Sequence, residues 1–537
     1  MGNWQTKEQL KELLVKLVEI PSVTGSASEI AMSEYIQLKL SELDFFKANP
    51  HMLELHPTHD GRKLVTALVK NGRSKKTVIL LSHFDVVDIE DFGDWKNLAF
   101  RPDELTQAFN NHKDRLPEDV KDDLEKGQWL FGRGSMDMKA GLALEMSVLE
   151  EASAGHFTGN VLLLSVPDEE VNSLGMTTAV SVLLDLAEKY DLEYTAVLNT
   201  EPSFSKYPGD ETCYIYTGSI GKVLPGFFCY GKETHVGEPL SGLNANYMVS
   251  EINRLMELNT DFCEMIEGEI TPPPTNLMQK DLKIDYSVQI PHTAVAMFNL
   301  LTLNQPIDEI NAELLKVAKA AAGQIEEHHF NQSKKFSQWA SFKPQSMSVR
   351  VMTFEQLKKE AIALYGQSEI DRLESYTLAN FQELGDRDLS TRLVYDLASL
   401  CKHLAPMIIL FYSPPFYPAV SSRDNPRIMD VVTNVIKAAK EQNIDIEHQY
   451  YFAGLSDLSY AALQQDSVSL YHLFGNMPLN GKRYDLPINA MQTLNLPVLN
   501  LGPYGKDAHK WTERLDVDFS FGKLRPLLTY CVEQLLR

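Results

Sequence analysis

The segment "LLSHFDVVD" (80–88) sets His83 and Asp85 two residues apart at the end of a continuously apolar run. Imidazole nitrogen and carboxylate oxygen are donors suited to divalent cations, and a carboxylate beside a histidine fixes which ring nitrogen keeps its proton. The same residue types recur at corresponding places. "GRGSMDMKAG" (132–141) brings Asp137 to the start of a helical pattern, and "SVPDEE" (165–170) brings Asp168, Glu169 and Glu170 to the end of another apolar run. "VLNTE" (197–201) does this for Glu201, and "GPYGKDAHKWTE" (502–513) carries His509 behind the last apolar run.

If those runs are parallel strands of one sheet, their carboxyl ends border a common crevice, and residues far apart in the chain converge there. Several carboxylates in one crevice repel, and burying each costs several kcal/mol. Protons would relieve the repulsion. Two imidazoles among the carboxylates point instead to divalent cations, with zinc as the ion that takes both donor types and keeps a position open for water. Two ions about 3.5–4 Å apart, bridged by one carboxylate, would neutralise the set and lower the pKa of a bound water from 15.7 toward about 7. On this reading His83 is a ligand, and Asp85 accepts the other ring N–H. Taken singly, each element has a plainer meaning. His-x-Asp is often a hydrogen-bonded surface pair, Asp137 an N-cap or first-turn acid, and "DEE" a solvated turn. The information lies in the ordered set.

The elements that must position these residues follow from periodicity. "TVILLSH" (77–83), "VLLLSV" (161–166) and "YTAVLNTE" (194–201) are short and apolar throughout, separated by helical stretches at 138–152 and 177–190. That alternation predicts an α/β domain, a mostly parallel sheet sandwiched by helices. From about 222 the order becomes β-α-β-β-α-β. Strands are expected at 222–231, 283–290, 293–303 and 346–354, and helices at 244–259 and 308–329. It predicts a small ferredoxin-like α+β sheet with helices on one face, inserted into the larger domain. Charged helical sequence at 355–404 adds helices to it. The expected division is 1–220 with 405–537, and 221–404.

Totals narrow the function. At 537 residues the chain exceeds one core, and its formal net charge of −23 argues against nucleic acid or an anionic membrane as partner. Five scattered cysteines without a C-x-x-C pair read as reduced thiols in a cytoplasmic protein. The opening helix is interrupted by Lys and Glu, unlike a signal peptide, and no apolar run reaches membrane-spanning length.

With these residues in view, the chain resembles the co-catalytic zinc peptidase and deacylase family, which includes acetylornithine deacetylase, succinyl-diaminopimelate desuccinylase, aminoacylases and glutamate carboxypeptidase. The matching pieces run in order: "LVEIPSVTGSASE" (17–29), "LLSHFDVVD", "LFGRGSMDMKAGLALEM" (130–146), "SVPDEEVNSLGM" (165–176), "NTEP" (199–202), "GKETHVGEPLSGLNAN" (231–246), "FAGLSDLSY" (452–460) and "NLGPYGKDAHKWTERLDV" (500–517). The long form, with extra helices and "YSPPFYP", is most similar to a bacterial member of arginine utilisation.

The resemblance implies a zinc exopeptidase-like fold whose inserted domain serves as lid and dimerisation surface. It implies that Asp137 bridges two ions, Zn2+ with Co2+ or Mn2+ as alternatives. His83 and Glu201 complete one site, and Glu170 and His509 the other. Glu169 is then the general base, and His235, from the inserted domain, stabilises the oxyanion, often across a homodimer. For Glu169 and Glu170 to share one crevice the chain must have left the strand, which Pro167 favours. Where many relatives carry an arginine for the substrate carboxylate, this chain has Asn299, Leu300 and Leu301; Arg350 is the candidate substitute. The long acidic segment between Asp85 and Asp137 is expected to add a lid. The implied activity is hydrolysis of an N-acyl amino acid or a small peptide-like amide, in arginine or ornithine catabolism. The nearest rival is a dipeptidase or aminopeptidase. A non-catalytic metal-binding pathway protein is a rival of another class, and a two-metal phosphatase lacks its cationic cradle.

Overall fold

In the computed structural model, the strands Asn160–Val166, Lys76–His83, Glu193–Asn199 and Val498–Asn500 run parallel as successive neighbours. The structure describes residues 2–537 apart from Pro208, Glu211, Tyr286 and Asp466. Apolar runs without alternation form these strands because both faces are covered. Val78 and Leu80 join the core that includes helices Lys7–Val18, Lys139–Ser153 and Arg525–Leu536, while Ile79 and Leu81 are equally buried on the other face. Antiparallel strands Lys63–Val69 and Leu53–Pro57 extend one edge. Cys213–Tyr216 and Ile446–Gln449 extend the other, giving an eight-stranded, mostly parallel sheet. A separate three-stranded sheet joins Trp129–Phe131, Arg514–Asp516 and Gly505–Lys506.

The chain divides into two units. The first comprises Met1–Ile220, Val420–Gln464 and Pro487–Arg537, and the second Gly221–Ala419 and Gln465–Leu486. The expected return to the larger domain at 405 is thus corrected to 420, and 465–486 also belongs to the second unit. The reason is the strand Met407–Tyr417, which pairs antiparallel with Gly221–Tyr230 and parallel with Arg350–Thr353. The sheet order is Thr275–Asp281, Thr293–Thr302, Gly221–Tyr230, Met407–Tyr417, Arg350–Thr353. In a plain β-α-β-β-α-β sheet the first and fourth strands would be neighbours; here a fifth is driven between them.

A second correction concerns coverage. Helices Ala245–Met256 and Ile307–Phe336 pack together as expected. Helices Phe354–Tyr365 and Asp386–Leu400 bury the opposite face, where Phe228, Met297, Ile409 and Phe411 meet Leu357, Val394 and Leu397. Strands apolar on both faces need both covered. The strand expected at 283–290 lies upstream, at Thr275–Asp281; Tyr286 falls outside the described residues. Among the described residues, no helix is long and apolar enough to cross a membrane.

Candidate metal centre

His83 is the last residue of the central strand Lys76–His83, and its ring is buried. Nδ1 lies 3.0 Å from the backbone oxygen of Asp85 and 3.5 Å from its carboxylate. With an N–H there, Nε2 is left to face the crevice. It stands 3.4 Å from Asp137 Oδ1, 3.4 Å from Glu201 Oε1 and 4.0 Å from Glu169 Oε2. On the far side of Asp137, His509 Nε2 is 3.3 Å from Oδ2 and 3.0 Å from Glu170 Oε1. Each oxygen of Asp137 therefore faces a different histidine. Two groups result, His83–Asp137–Glu201 and Asp137–Glu170–His509, each with its ligand-type atoms mutually within 4.8 Å. His83, Glu169 and Glu170 form a third, overlapping group.

Local backbone explains the convergence. The strand Asn160–Val166 ends before Pro167, and Asp168 takes a positive φ of 73°, so Glu169 and Glu170 leave the strand's alternation. Asp85 then accepts the backbone N–H of Glu169 at 3.1 Å and of Glu170 at 3.3 Å, and the hydroxyl of Thr24 at 2.8 Å. The aspartate expected to steer His83 also holds the loop that bears the two glutamates. Glu201 follows the strand Glu193–Asn199, and its backbone oxygen accepts from Asn500 Nδ2 at 3.0 Å. Gly502 has to be glycine: a Cβ there would stand 2.0 Å from that same oxygen.

The electrostatics are those of an excess of buried negative charge. Burial pushes Glu169, Glu170 and Glu201 above the usual carboxylate range. Burial does the same to Asp137, but the imidazoles of His509 and His83 more than reverse it and hold this acid well below that range. Burial would lower His83, yet Glu201 and Asp137 raise it overall, and hydrogen bonds to Asp137 and Glu170 push His509 up to about 11. Nitrogen and oxygen donors in this arrangement fit a pair of divalent cations sharing Asp137.

Several supporting residues carry no role in the sequence reading. Glu513 is buried, accepts the N–H groups of Met136 (3.1 Å) and Asp137 (3.3 Å), and pairs with buried Arg133 at 2.8 Å. Glu29 accepts from the N–H groups of Gly25 (2.6 Å) and Asp168 (3.1 Å) and meets Arg62, which also reaches Asp168 at 2.7 Å. Asp457 is buried, raised to about 7 by burial with the Ser173 hydroxyl opposing, and acts through space on Glu169 and Glu201. Glu29, Asp457, Arg133 and Glu513 all lie inside the quoted motifs, which was their one signal; Arg62 had none. The segment between Asp85 and Asp137 folds into short helices that pack with Phe131 and Trp511.

The remaining site candidates belong to the second unit. His235 is exposed, and its Nδ1 accepts the N–H of Gly237 at 3.0 Å, so the neutral ring carries its proton on Nε2. Arg350 is exposed at the start of its strand, and Asn299 is half-buried.

Comparison with known proteins gives the family. The model of Peptidase family M20/M25/M40 matches residues 108–481. This chain belongs to that family. The chain is similar to "Protein RocB" of Bacillus subtilis (strain 168), 32% identical over 543 residues that cover 99% of this chain and 95% of RocB. "Uncharacterized protein YqjN" of the same strain is more similar, 53% identical over 536 residues that cover 100% and 98%. Among solved structures, aminopeptidase PepT from Bacillus cereus ATCC 10987 shares the fold with a TM-score of 0.53 at 11% identity, over 99% of this chain and 100% of that one. The M20 chain is thus an α/β metallopeptidase-type hydrolase in its long form.

Proposed function

We propose that this M20 chain is a dinuclear, zinc-dependent amidohydrolase that cleaves an N-acyl amino acid or a small peptide-like amide. The observation that carries the reading is the placement of the two Asp137 oxygens, one 3.4 Å from His83 and the other 3.3 Å from His509. His83, Asp137 and Glu201 would hold one ion, and Asp137, Glu170 and His509 the other, with Zn2+ favoured over Co2+ or Mn2+ by the mixed nitrogen and carboxylate donors. Such a pair, when bound, polarises the scissile carbonyl and brings the pKa of water toward about 7.

The chain's own residues do the rest. Glu169 takes the proton of the attacking water and passes it to the amide nitrogen as the C–N bond breaks. Burial raises its carboxyl above the usual range, which makes it a better base than a solvated glutamate. Asp85 orients both halves of the step, His83 through the ring N–H and Glu169 through its backbone N–H. His235 donates from Nε2 to the oxyanion, a role that rests on the family resemblance and on Gly237 occupying Nδ1. A homodimer through the inserted unit and a cytoplasmic setting belong to the same proposal. Breakdown of arginine- or ornithine-type substrates is supported by the likeness to RocB.

Glu169→Gln should keep both metals and lose about 10²- to 10⁴-fold in turnover. Unchanged turnover would take Glu169 out of the mechanism. A panel of N-acetyl-ornithine, N-acetyl-arginine and dipeptides separates deacylase from dipeptidase. Metal content well below one ion per purified chain would favour a non-catalytic role instead.

A further inference from the structure

The short helices between Asp85 and Asp137 have a destination that the chemistry above does not use. His509 sits in the turn of a hairpin between strands Gly505–Lys506 and Arg514–Asp516. Within it Asp507 and His509 have positive φ values of 62° and 63°, a region that side-chain-bearing residues rarely adopt. The His509 side chain is 49% exposed, against 1% for His83. A ligand so placed needs something to hold its turn.

The helix Glu118–Lys126 supplies it. Asp123 is buried and accepts from Arg514 Nε at 2.7 Å and from Lys506 Nζ at 2.8 Å, one contact on each strand of the hairpin. Arg514 is fully buried; its other nitrogens reach Asp507 inside the turn, the Thr512 carbonyl at 3.2 Å and Asp119 at 3.0 Å. The helix Pro102–Asn111 adds an apolar contact: the ring of Phe109 meets Trp511, two residues from His509, edge-on at 5.6 Å. A charged network and a ring pair thus tie the segment to both sides of the turn. His83 has no equivalent need, being carried by a strand paired on both edges.

We propose that the segment Glu90–Lys126 is a clamp that sets the affinity of the His509 ion site, with Asp123 and Trp511 as positioning residues. The inference rests on the two-ion reading of the centre. The test is titration of metal-stripped, full-length protein with Co2+, followed by calorimetry and by visible absorption, which reports the coordination of each ion. Wild type should take two Co2+ per chain. Asp123→Asn and Trp511→Leu should bind the first as wild type does and the second about 10- to 100-fold more weakly, the usual cost of removing a support behind a ligand. Trp511→Phe, which keeps a ring edge against Phe109, should restore the second affinity. A second Co2+ bound as tightly by both variants as by wild type overturns the clamp. So does an equal weakening of both ions, which would mean a general loss of structure. Wild type that takes fewer than two Co2+ sinks the two-ion reading itself, and the clamp with it.

Discussion

The His83 and His509 halves of the centre contrast in how their ligands are held. His83 ends one strand and Glu201 stands just beyond its parallel neighbour, so the sheet's hydrogen bonds place them. His509 hangs from a hairpin turn outside that sheet and is positioned by side chains, chiefly Arg514 with Asp507 and Asp123. Asp137 belongs to neither scheme. Its backbone is fixed by the buried Glu513–Arg133 pair, and its two oxygens divide between the halves. A centre made this way has a rigid half, an adjustable half and one shared residue. Substitutions in the three places should behave differently.

The largest effect should come from the shared residue. Asp137→Ala removes a donor from both groups at once, and both ions should be lost together with turnover. Elemental analysis of the purified variant checks this. One ion retained at wild-type affinity would show that the carboxylate is not shared, and the contrast would lose its middle term.

Next comes the comparison of the two histidines in metal-free protein. His83 is buried among carboxylates, so His83→Ala leaves uncompensated buried charge, a change that costs about 3–5 kcal/mol when a buried partner is removed. The His509 side chain is half exposed, so water can enter where its ring stood beside Asp137 and Glu170, and His509→Ala should cost less than His83→Ala. Thermal melts of the two stripped variants should therefore differ by a few degrees in favour of His509→Ala. Equal melting losses would mean that the two halves are not held differently.

Legibility in the sequence follows the same division. The parallel strands were readable because Leu, Val and Ile without alternation signal burial on both faces, and strand ends then gather His83, Glu169, Glu170 and Glu201 by geometry alone. Supports made by polar side chains reaching distant backbone leave no periodic trace. Glu513 under Asp137 and Arg62 against Asp168 are two such cases. Placement of a strand in a sheet is likewise invisible to periodicity. "MIILFYSPPFY" reads plainly as a strand, but nothing local says that it lies beside Gly221–Tyr230 and moves the boundary to 420. The edge strand Thr275–Asp281 was missed because its residues are mostly half-buried or exposed, so its apolar signal is weaker than that of 283–290.

The smallest effect sharpens the contrast at the Glu169–Glu170 loop, where the sheet hands a ligand to the His509 half. Glu29 lies behind that loop, hydrogen-bonded to the Asp168 N–H, and burial, with help from Asp85, raises it to about 7 in spite of Arg62. Its ordinary value is 4.5, so between about 4.5 and 7 the folded chain binds a proton that the unfolded chain releases. Stability from this group is then complete below about pH 4.5 and falls as the pH rises through about 7. Glu29→Gln has no such proton to lose. The melting temperature of wild type relative to Glu29→Gln should accordingly decline as the pH climbs from about 5 to about 8, although the carboxylates of the centre titrate in both proteins and cancel in the difference. Parallel melting curves across that range would mean that Glu29 is already ionised beside Arg62 at acid pH, and that an ion pair rather than a carboxyl hydrogen bond holds the loop.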